Sequence, residues 1–206
     1  MTKEIPHHHG NLREALIDAG LQLLAEGGPS ALTLRRAAAR AGVSHAAPAH
    51  HFDGLTGLLT AIAVRAYQAF SGQMIQHREA AGANDFTRLV GVCQGYLAFA
   101  KDNSGLFHVL FVSSDVARED AALMQASGLA YQVLREACLP FSPLGQPDPE
   151  IEIAVWSMVH GFALLGLNLP DSPKRMIVQI PEFEVLLKRI IANPVATPLA
   201  LDLDIS

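Results

Sequence analysis

The segment "TLRRAAARAGVSHAAPAHHF" (residues 33–52) decides the fold class. Thr33 is a favourable N-cap residue, and the run rich in alanine and arginine after it predicts a helix of two turns that ends at Gly42. Ser44 is a second N-cap candidate, so a third helix is predicted to begin at His45. A short helix, a turn containing glycine and another short helix form a helix-turn-helix unit.

The flanking sequence also has helical periodicity. Leucines spaced three or four residues apart predict a first helix over residues 12–25, which "EGGPS" (26–30) ends. A long helix is predicted over residues 55–81, with an apolar stripe of Leu58, Leu59, Ile62, Ala63, Ala66, Phe70 and Met74. Further helices are predicted at 84–101, 104–113, 117–138, 149–168 and 181–192. Strand patterns are poor, so the fold class is all-α with about nine helices.

Three regions follow from this pattern. We expect a three-helix helix-turn-helix head at residues 1–54 and a larger helical region at 55–192. Residues 193–206 contain two prolines and no helical periodicity, so they are predicted to be a flexible tail.

Composition favours a cytoplasmic protein. The two cysteines, Cys93 and Cys138, provide no disulfide framework, which fits a reducing compartment. The N-terminus lacks an apolar signal segment, and the longest apolar stretch (155–169) is short for a bilayer span and is interrupted by polar residues. We therefore expect neither export nor insertion into a membrane.

The charge distribution permits a nucleic-acid-binding head. The net charge is −5 overall, but residues 1–65 contain six Lys and Arg against five Asp and Glu and also contain six of the nine histidines. Imidazole gains positive charge as pH falls through about 6.5, so the head can become cationic. The pattern allows DNA binding without establishing it.

The segment "HHHGNLREALIDAGLQLLAEGGPSALTLRRAAARAGVSHAAPAHHF" (7–52) resembles the DNA-binding domain of the tetracycline-repressor (TetR) family. "WSMVHGFALL" (156–165) resembles the Trp and His-Gly signature of one C-terminal domain type in that family. The resemblance implies a homodimer whose third helices enter successive major grooves of a palindromic DNA operator. It also implies that residues 55–192 form an effector-binding and dimerisation domain, and that a small-molecule effector bound in the core of this domain releases a repressor from DNA.

The candidate DNA-binding residues combine small side chains, which allow close approach to base edges, with donors and cations for phosphates. They are Thr33, Arg35, Arg36, Ser44, His45, Ala46, Ala49, His50 and His51. Phe52 is predicted to anchor the third helix in the core of the head.

Two positions depart from the family pattern. Ala49 stands where the family usually has a tyrosine that donates to phosphate, and Leu55 stands where it usually has a lysine. Each loss weakens the grip on the DNA backbone. The alternative reading is therefore a TetR-like helical dimer that has weakened or lost specific DNA binding and acts as a small-molecule or protein interaction module.

The candidate ligand-binding residues are aromatic or polar groups of the C-terminal region. They are Tyr96, Phe107, His108, Phe111, Trp156 and His160. Trp156 and His160 are four residues apart and share a helix face. The alternative is that all six pack in the core. The apolar character of the region favours an apolar or aromatic effector.

No motif indicates an enzyme. There is no nucleophile elbow, no phosphate-binding glycine loop and no spacing typical of metal ligands, so we expect neither catalysis nor a cofactor. The histidines at 7–9 have no supporting carboxylate or cysteine, and a metal site is not expected there.

Overall fold

The computed structural model describes residues 12–143, 145–167 and 180–192, and every regular element in these ranges is helical. The eight α-helices are α1 (Leu12–Gly27), α2 (Leu34–Arg40), α3 (Gly54–Ala80), α4 (Asp85–Asp102), α5 (Ser104–Phe111), α6 (Ala121–Cys138), α7 (Pro149–Leu165) and α8 (Phe183–Ala192). Three short 3₁₀ turns lie at Pro29–Ala31, Ala47–His50 and Leu139–Phe141. The all-α prediction is confirmed.

Side-chain caps set several helix starts. Thr33 Oγ1 accepts the N–H of Arg36 at 3.1 Å, as its predicted role requires. Asp120 caps α6 in the same way, with Oδ1 accepting the N–H of Leu123 at 2.9 Å. This cap makes α6 begin directly after Asp120 rather than at residue 117, where the sequence analysis had placed the start.

Helix α3 is the centre of the molecule. The predicted apolar stripe of this helix is buried throughout, and Leu58 and Ile62 are both fully buried. Helix α4 crosses it closely, since a Cβ on Gly95 would come within 2.7 Å of the Cα of Met74. At the other end of α3, a Cβ on Gly20 of α1 would meet Ile62 at 2.5 Å. One helix therefore packs in both the N-terminal head and the C-terminal region.

Helix α5 also contacts the head. A Cβ on Gly105 would come within 2.6 Å of the carbonyl oxygen of Leu24, so α5 lies directly against the end of α1. The buried residues of head and C-terminal region accordingly form one cluster. The predicted boundary at residue 54 falls at the first residue of α3, and the division into domains stays a prediction.

Two predictions lie outside the described residues: the flexible tail at 193–206 and the histidines at 7–9. Among the helices that are described, none is long and apolar enough to cross a bilayer.

Candidate functional site

The turn after α2 depends on Gly42. Its φ of 69° lies in the left-handed region, where a side chain would be strained. The N–H of Val43 donates to the carbonyl of Ala38 at 3.0 Å, which satisfies one of the last carbonyls of α2. The chain thus leaves α2 through a glycine turn, as the helix-turn-helix pattern predicts.

The element after this turn is a 3₁₀ turn over Ala47–His50 and not the α-helix predicted to begin at His45. Pro48 lacks the N–H that an α-helix would use and disfavours α geometry in the residue before it. The predicted cap at Ser44 is also wrong, because no side chain caps this turn. Ser44 instead contributes its carbonyl, which accepts the N–H of Ala47 at 3.0 Å.

All nine candidate DNA-binding residues are exposed. Thr33, Arg35 and Arg36 lie at the start of α2, and the other six lie on or beside the 3₁₀ turn. Phe52 is 7% exposed and belongs to the core cluster, which confirms its anchoring role. The guanidinium of Arg13 lies over the Phe52 ring, 5.4 Å from its centroid. The anchored turn therefore presents its small and imidazole side chains outward.

The arginines of the head have different partners. Arg40 of α2 makes two hydrogen bonds to the carboxylate of Glu26 on α1, at 2.7 and 2.6 Å. The hydrogen bond holds the pKa of Glu26 below its usual value and raises the pKa of Arg40. Arg35 and Arg36 form no ion pair within the described residues. Their charges are available to phosphates.

The C-terminal region contains a cavity of about 450 Å³. It lies between α3, α4, α5, α6 and α7, and the volume falls within the range typical of small-molecule sites. Its lining residues carry no charged side chain: Tyr67, Phe70, Met74, Tyr96, Phe111, Met124, Ser127, Gly128, Ala130, Tyr131, Leu134 and Trp156. A ligand here would contact aromatic rings, two thioethers and few polar groups.

Four of the six candidate ligand residues form one aromatic cluster. The hydroxyl of Tyr96 lies 2.6 Å from Nδ1 of His160. Phe107 and Phe111 pack against the His160 ring, with centroids 5.6 and 5.0 Å away. Burial raises the pKa of Tyr96 and lowers the pKa of His160, which favours the neutral imidazole.

These predicted residues have different relations to the cavity. Tyr96, Phe111 and Trp156 line it directly. Phe107 and His160 pack behind them against Tyr96. The side chain of His108 is exposed on α5 and does not line the cavity.

The sequence analysis missed a polar pair at the cavity wall. The hydroxyl of Tyr131 donates to Oε2 of Glu152 at 2.6 Å, and the Tyr131 ring lies 5.6 Å from the Trp156 ring. Burial and the neighbouring carboxylate raise the pKa of Tyr131 to about 12. Glu152 is one turn before Trp156 on α7, and this spacing is the only sequence signal that could have linked the pair to the site.

Both cysteines are free and buried. Burial raises the pKa of each thiol, that of Cys138 to about 12. Within the described ranges no group of three histidine, cysteine or acidic side chains is placed to hold a metal ion.

Comparison with known families identifies both ends of the chain. The family described as "Bacterial regulatory proteins, tetR family" matches residues 16–62, which include most of α1, all of α2, the glycine turn and the start of α3. The family described as "Tetracyclin repressor-like, C-terminal domain" matches residues 89–170, which include most of the cavity wall. This protein belongs to the TetR family. The resemblance of residues 156–165 to one particular C-terminal type stays a prediction.

Solved structures share the fold of this TetR-family chain. A protein of unknown function from Rhodococcus sp. RHA1 is 23% identical, with a TM-score of 0.65 over 92% of this chain and 96% of that one. A TetR-family transcriptional regulator from Streptomyces coelicolor is 19% identical, with a TM-score of 0.59 over 88% and 98%. The multidrug binding protein EbrR, complexed with imidazole, is 18% identical, with a TM-score of 0.59 over 97% and 100%. A search of curated proteins finds no match.

Proposed function

We propose that this TetR-family protein is a ligand-responsive DNA-binding regulator, most simply a repressor that a small molecule releases from a palindromic operator. Helix α3 carries the proposal. Its first turns pack against the head, and Tyr67, Phe70 and Met74 in its middle line the cavity. A ligand that moves α3 would therefore move the head, and the exposed residues at 33–51 would make the DNA contacts.

Two further contacts support coupling between cavity and head. Arg65 of α3 pairs with Glu14 and Asp18 of α1. Helix α5 contributes Phe111 to the cavity while its first turn presses on the end of α1. An effector would lower operator affinity only by its differential affinity for the two head arrangements.

The proposed homodimer uses the outer face of α7. Ile153, Leu164 and Leu165 are each about half exposed, and several large aliphatic side chains exposed on one helix are typical of a surface that another subunit covers. A Cβ on Gly161 between them would meet no atom within 4 Å, so this side of the helix is open to a second helix. Two copies joined here would present two heads to a palindromic site.

The working assignment places the head at residues 1–54 and the effector and dimerisation domain at 55–192. Because the chromosome is the proposed target, the protein would act in the cytoplasm. The apolar and aromatic cavity favours an apolar or aromatic effector.

One observation favours a second function. The element expected to read the DNA bases, here called the reading turn, is the 3₁₀ turn Ala47–His50. In addition, Ala49 and Leu55 offer neither the phosphate donor nor the cation usual at these positions. A TetR-like dimer that had lost specific DNA binding would keep the cavity and serve as a ligand-binding or interaction module. The salt dependence of DNA binding distinguishes the two functions, because the affinity of a DNA-binding regulator for DNA falls steeply as the salt concentration rises.

Filling the cavity tests ligand control without knowledge of the ligand. Gly128 lines the cavity, and a Cβ there meets nothing within 4 Å, so Gly128→Phe can place a ring where an effector would bind. We expect fluorescence anisotropy to show about tenfold weaker operator binding, within the usual range of allosteric coupling. Gly72→Phe on the exposed side of α3 is the control. Equal operator affinity of Gly128→Phe and wild type would contradict ligand control through this cavity.

A further inference from the structure

Glu152 is a carboxylate in an apolar interior. Its exposed fraction is 3%, and its Oε2 accepts the hydroxyl hydrogen of Tyr131. Its other oxygen, Oε1, is buried and has no hydrogen-bond partner within the described residues. Arg135, an exposed cation one turn after Tyr131 on α6, forms no ion pair with it there. Among the described residues, the hydrogen-bond donor to this carboxylate is one neutral side chain, and the carboxylate lies in the first turn of α7.

The carboxylate is joined to the cavity wall by one hydrogen bond. Tyr131, its hydrogen-bond donor, lines the cavity, and so does Trp156, one helical turn further along α7. The two rings lie 5.6 Å apart. Glu152 thus lies close to a chamber whose own lining has no charged side chain.

A buried carboxylate without a cation is unfavourable, because it gives up its hydration and its unpaired oxygen loses its hydrogen bonds to water. A positive charge placed in the cavity would offset this cost across a short distance of low dielectric. Aromatic faces such as those of Tyr131, Trp156 and Tyr96 also attract cations through their ring quadrupoles. The same wall therefore provides both features that bind an organic cation.

We propose that the cavity binds an organic cation with an aromatic or apolar body, and that Glu152 supplies the negative charge that selects it. The inference deepens the proposed function by stating the chemical class of the effector. It adds electrostatic selection to the apolar fit expected from the sequence.

A pair of probes of equal shape, compared between the wild type and a variant without the carboxylate, isolates the effect of charge. N-methylquinolinium carries one positive charge, and 1-methylnaphthalene is its neutral isostere. Equilibrium dialysis of the full chain against each probe, read by ultraviolet absorbance, gives both affinities without DNA. We expect the ratio of cation affinity to isostere affinity to be about tenfold or more higher in the wild type than in a variant without the carboxylate.

Glu152→Gln should lower affinity for the cation about tenfold and leave affinity for the neutral probe unchanged. Glu150→Gln, which removes the same charge from an exposed position on the same helix, should change neither affinity. Circular dichroism confirms that each variant is folded, and Glu152→Gln should keep or raise the melting temperature because it removes a buried charge. Tyr131→Phe is a second variant that keeps the carboxylate and the ring, and it should retain selectivity for the cation.

Failure of the wild type to bind the cation, or an unchanged ratio of the two affinities in Glu152→Gln, would each overturn the proposal. The result is independent of operator binding. A protein that binds its operator but fails this test loses only the cation inference. A protein that selects the cation but binds no operator loses only the regulator function.

Discussion

The arginines of the head fall into two groups: some pair with carboxylates within the head, and others have no ion pair among the described residues and are available to contact DNA phosphates. Arg40 and Arg65 are engaged with carboxylates of α1, so their removal would loosen the packing of the head. Arg35 and Arg36 project from the first turn of α2 without an ion pair in the described structure. The second pair is therefore the better place to test for contact with phosphate.

Arg36→Ala should weaken binding to every duplex alike, by roughly fivefold, and should reduce the slope of log affinity against log salt by about two, one for each subunit of the proposed dimer. A phosphate contact carries no sequence information, so the ratio between operator and unrelated DNA should not change. Lys101→Ala, an exposed cation on α4, is the control. An unchanged salt slope would remove Arg36 from the interface.

His45→Ala or Ala46→Val should instead change which operator is preferred, because both residues are exposed beside the reading turn. Selection from a randomised duplex pool measures the preference. If the wild type and both variants preferred identical sequences, the reading turn would not be the element that contacts the bases.

His160 connects pH to stability. Burial holds its pKa below the ordinary value, so the unfolded chain takes up a proton more readily than the folded one. Its contribution to the free energy of unfolding is present above about pH 6.5 and is lost as the pH falls toward the lower folded value. In urea titrations between pH 7.5 and 5, wild type should lose more stability than His160→Asn. Parallel curves for the two proteins would contradict this role.

At the scale of elements, the sequence predicts helices correctly where the apolar periodicity and the capping residues indicate the same helix. The long stripe of α3 and the cap at Thr33 are examples, because both depend on local spacing. The prediction of an α-helix after Ser44 was wrong because Pro48 lacks a backbone N–H donor. An element of only one turn has no other helical hydrogen bonds to compensate for this loss. The hydrogen bond between Tyr131 and Glu152 could not be predicted. The two residues lie 21 positions apart on different helices, and local spacing does not determine how those helices pack.

The crossing of α3 and α4 offers a test of packing. Gly95→Ala would place a Cβ 2.7 Å from backbone atoms of Gln73 and Met74, which cannot move aside easily. We expect a loss of about 1–3 kcal/mol in the free energy of unfolding. Gly72→Ala, on the exposed side of α3, should gain roughly 0.5–1 kcal/mol. Equal urea midpoints for the two variants would show that the helices can separate without cost.

At the scale of the molecule, exposed apolar surface predicts assembly. Leu164→Glu on α7 should convert the proposed dimer to a monomer in analytical ultracentrifugation, because a charge would be buried between subunits. Leu129→Glu, an equally exposed leucine on α6, should leave the dimer intact. Dissociation by Leu129→Glu with an intact Leu164→Glu dimer would move the interface to α6.

In the proposed regulator, the exposed reading turn binds DNA and a ligand in the cavity controls that binding. The most direct measurement is binding of the purified protein to the DNA that flanks its own gene, by fluorescence anisotropy at two salt concentrations with unrelated duplex as competitor. We expect specific binding that weakens steeply as salt rises. Equal and weak binding to own-gene and unrelated DNA at both salt concentrations would contradict the claim and favour the ligand-binding module.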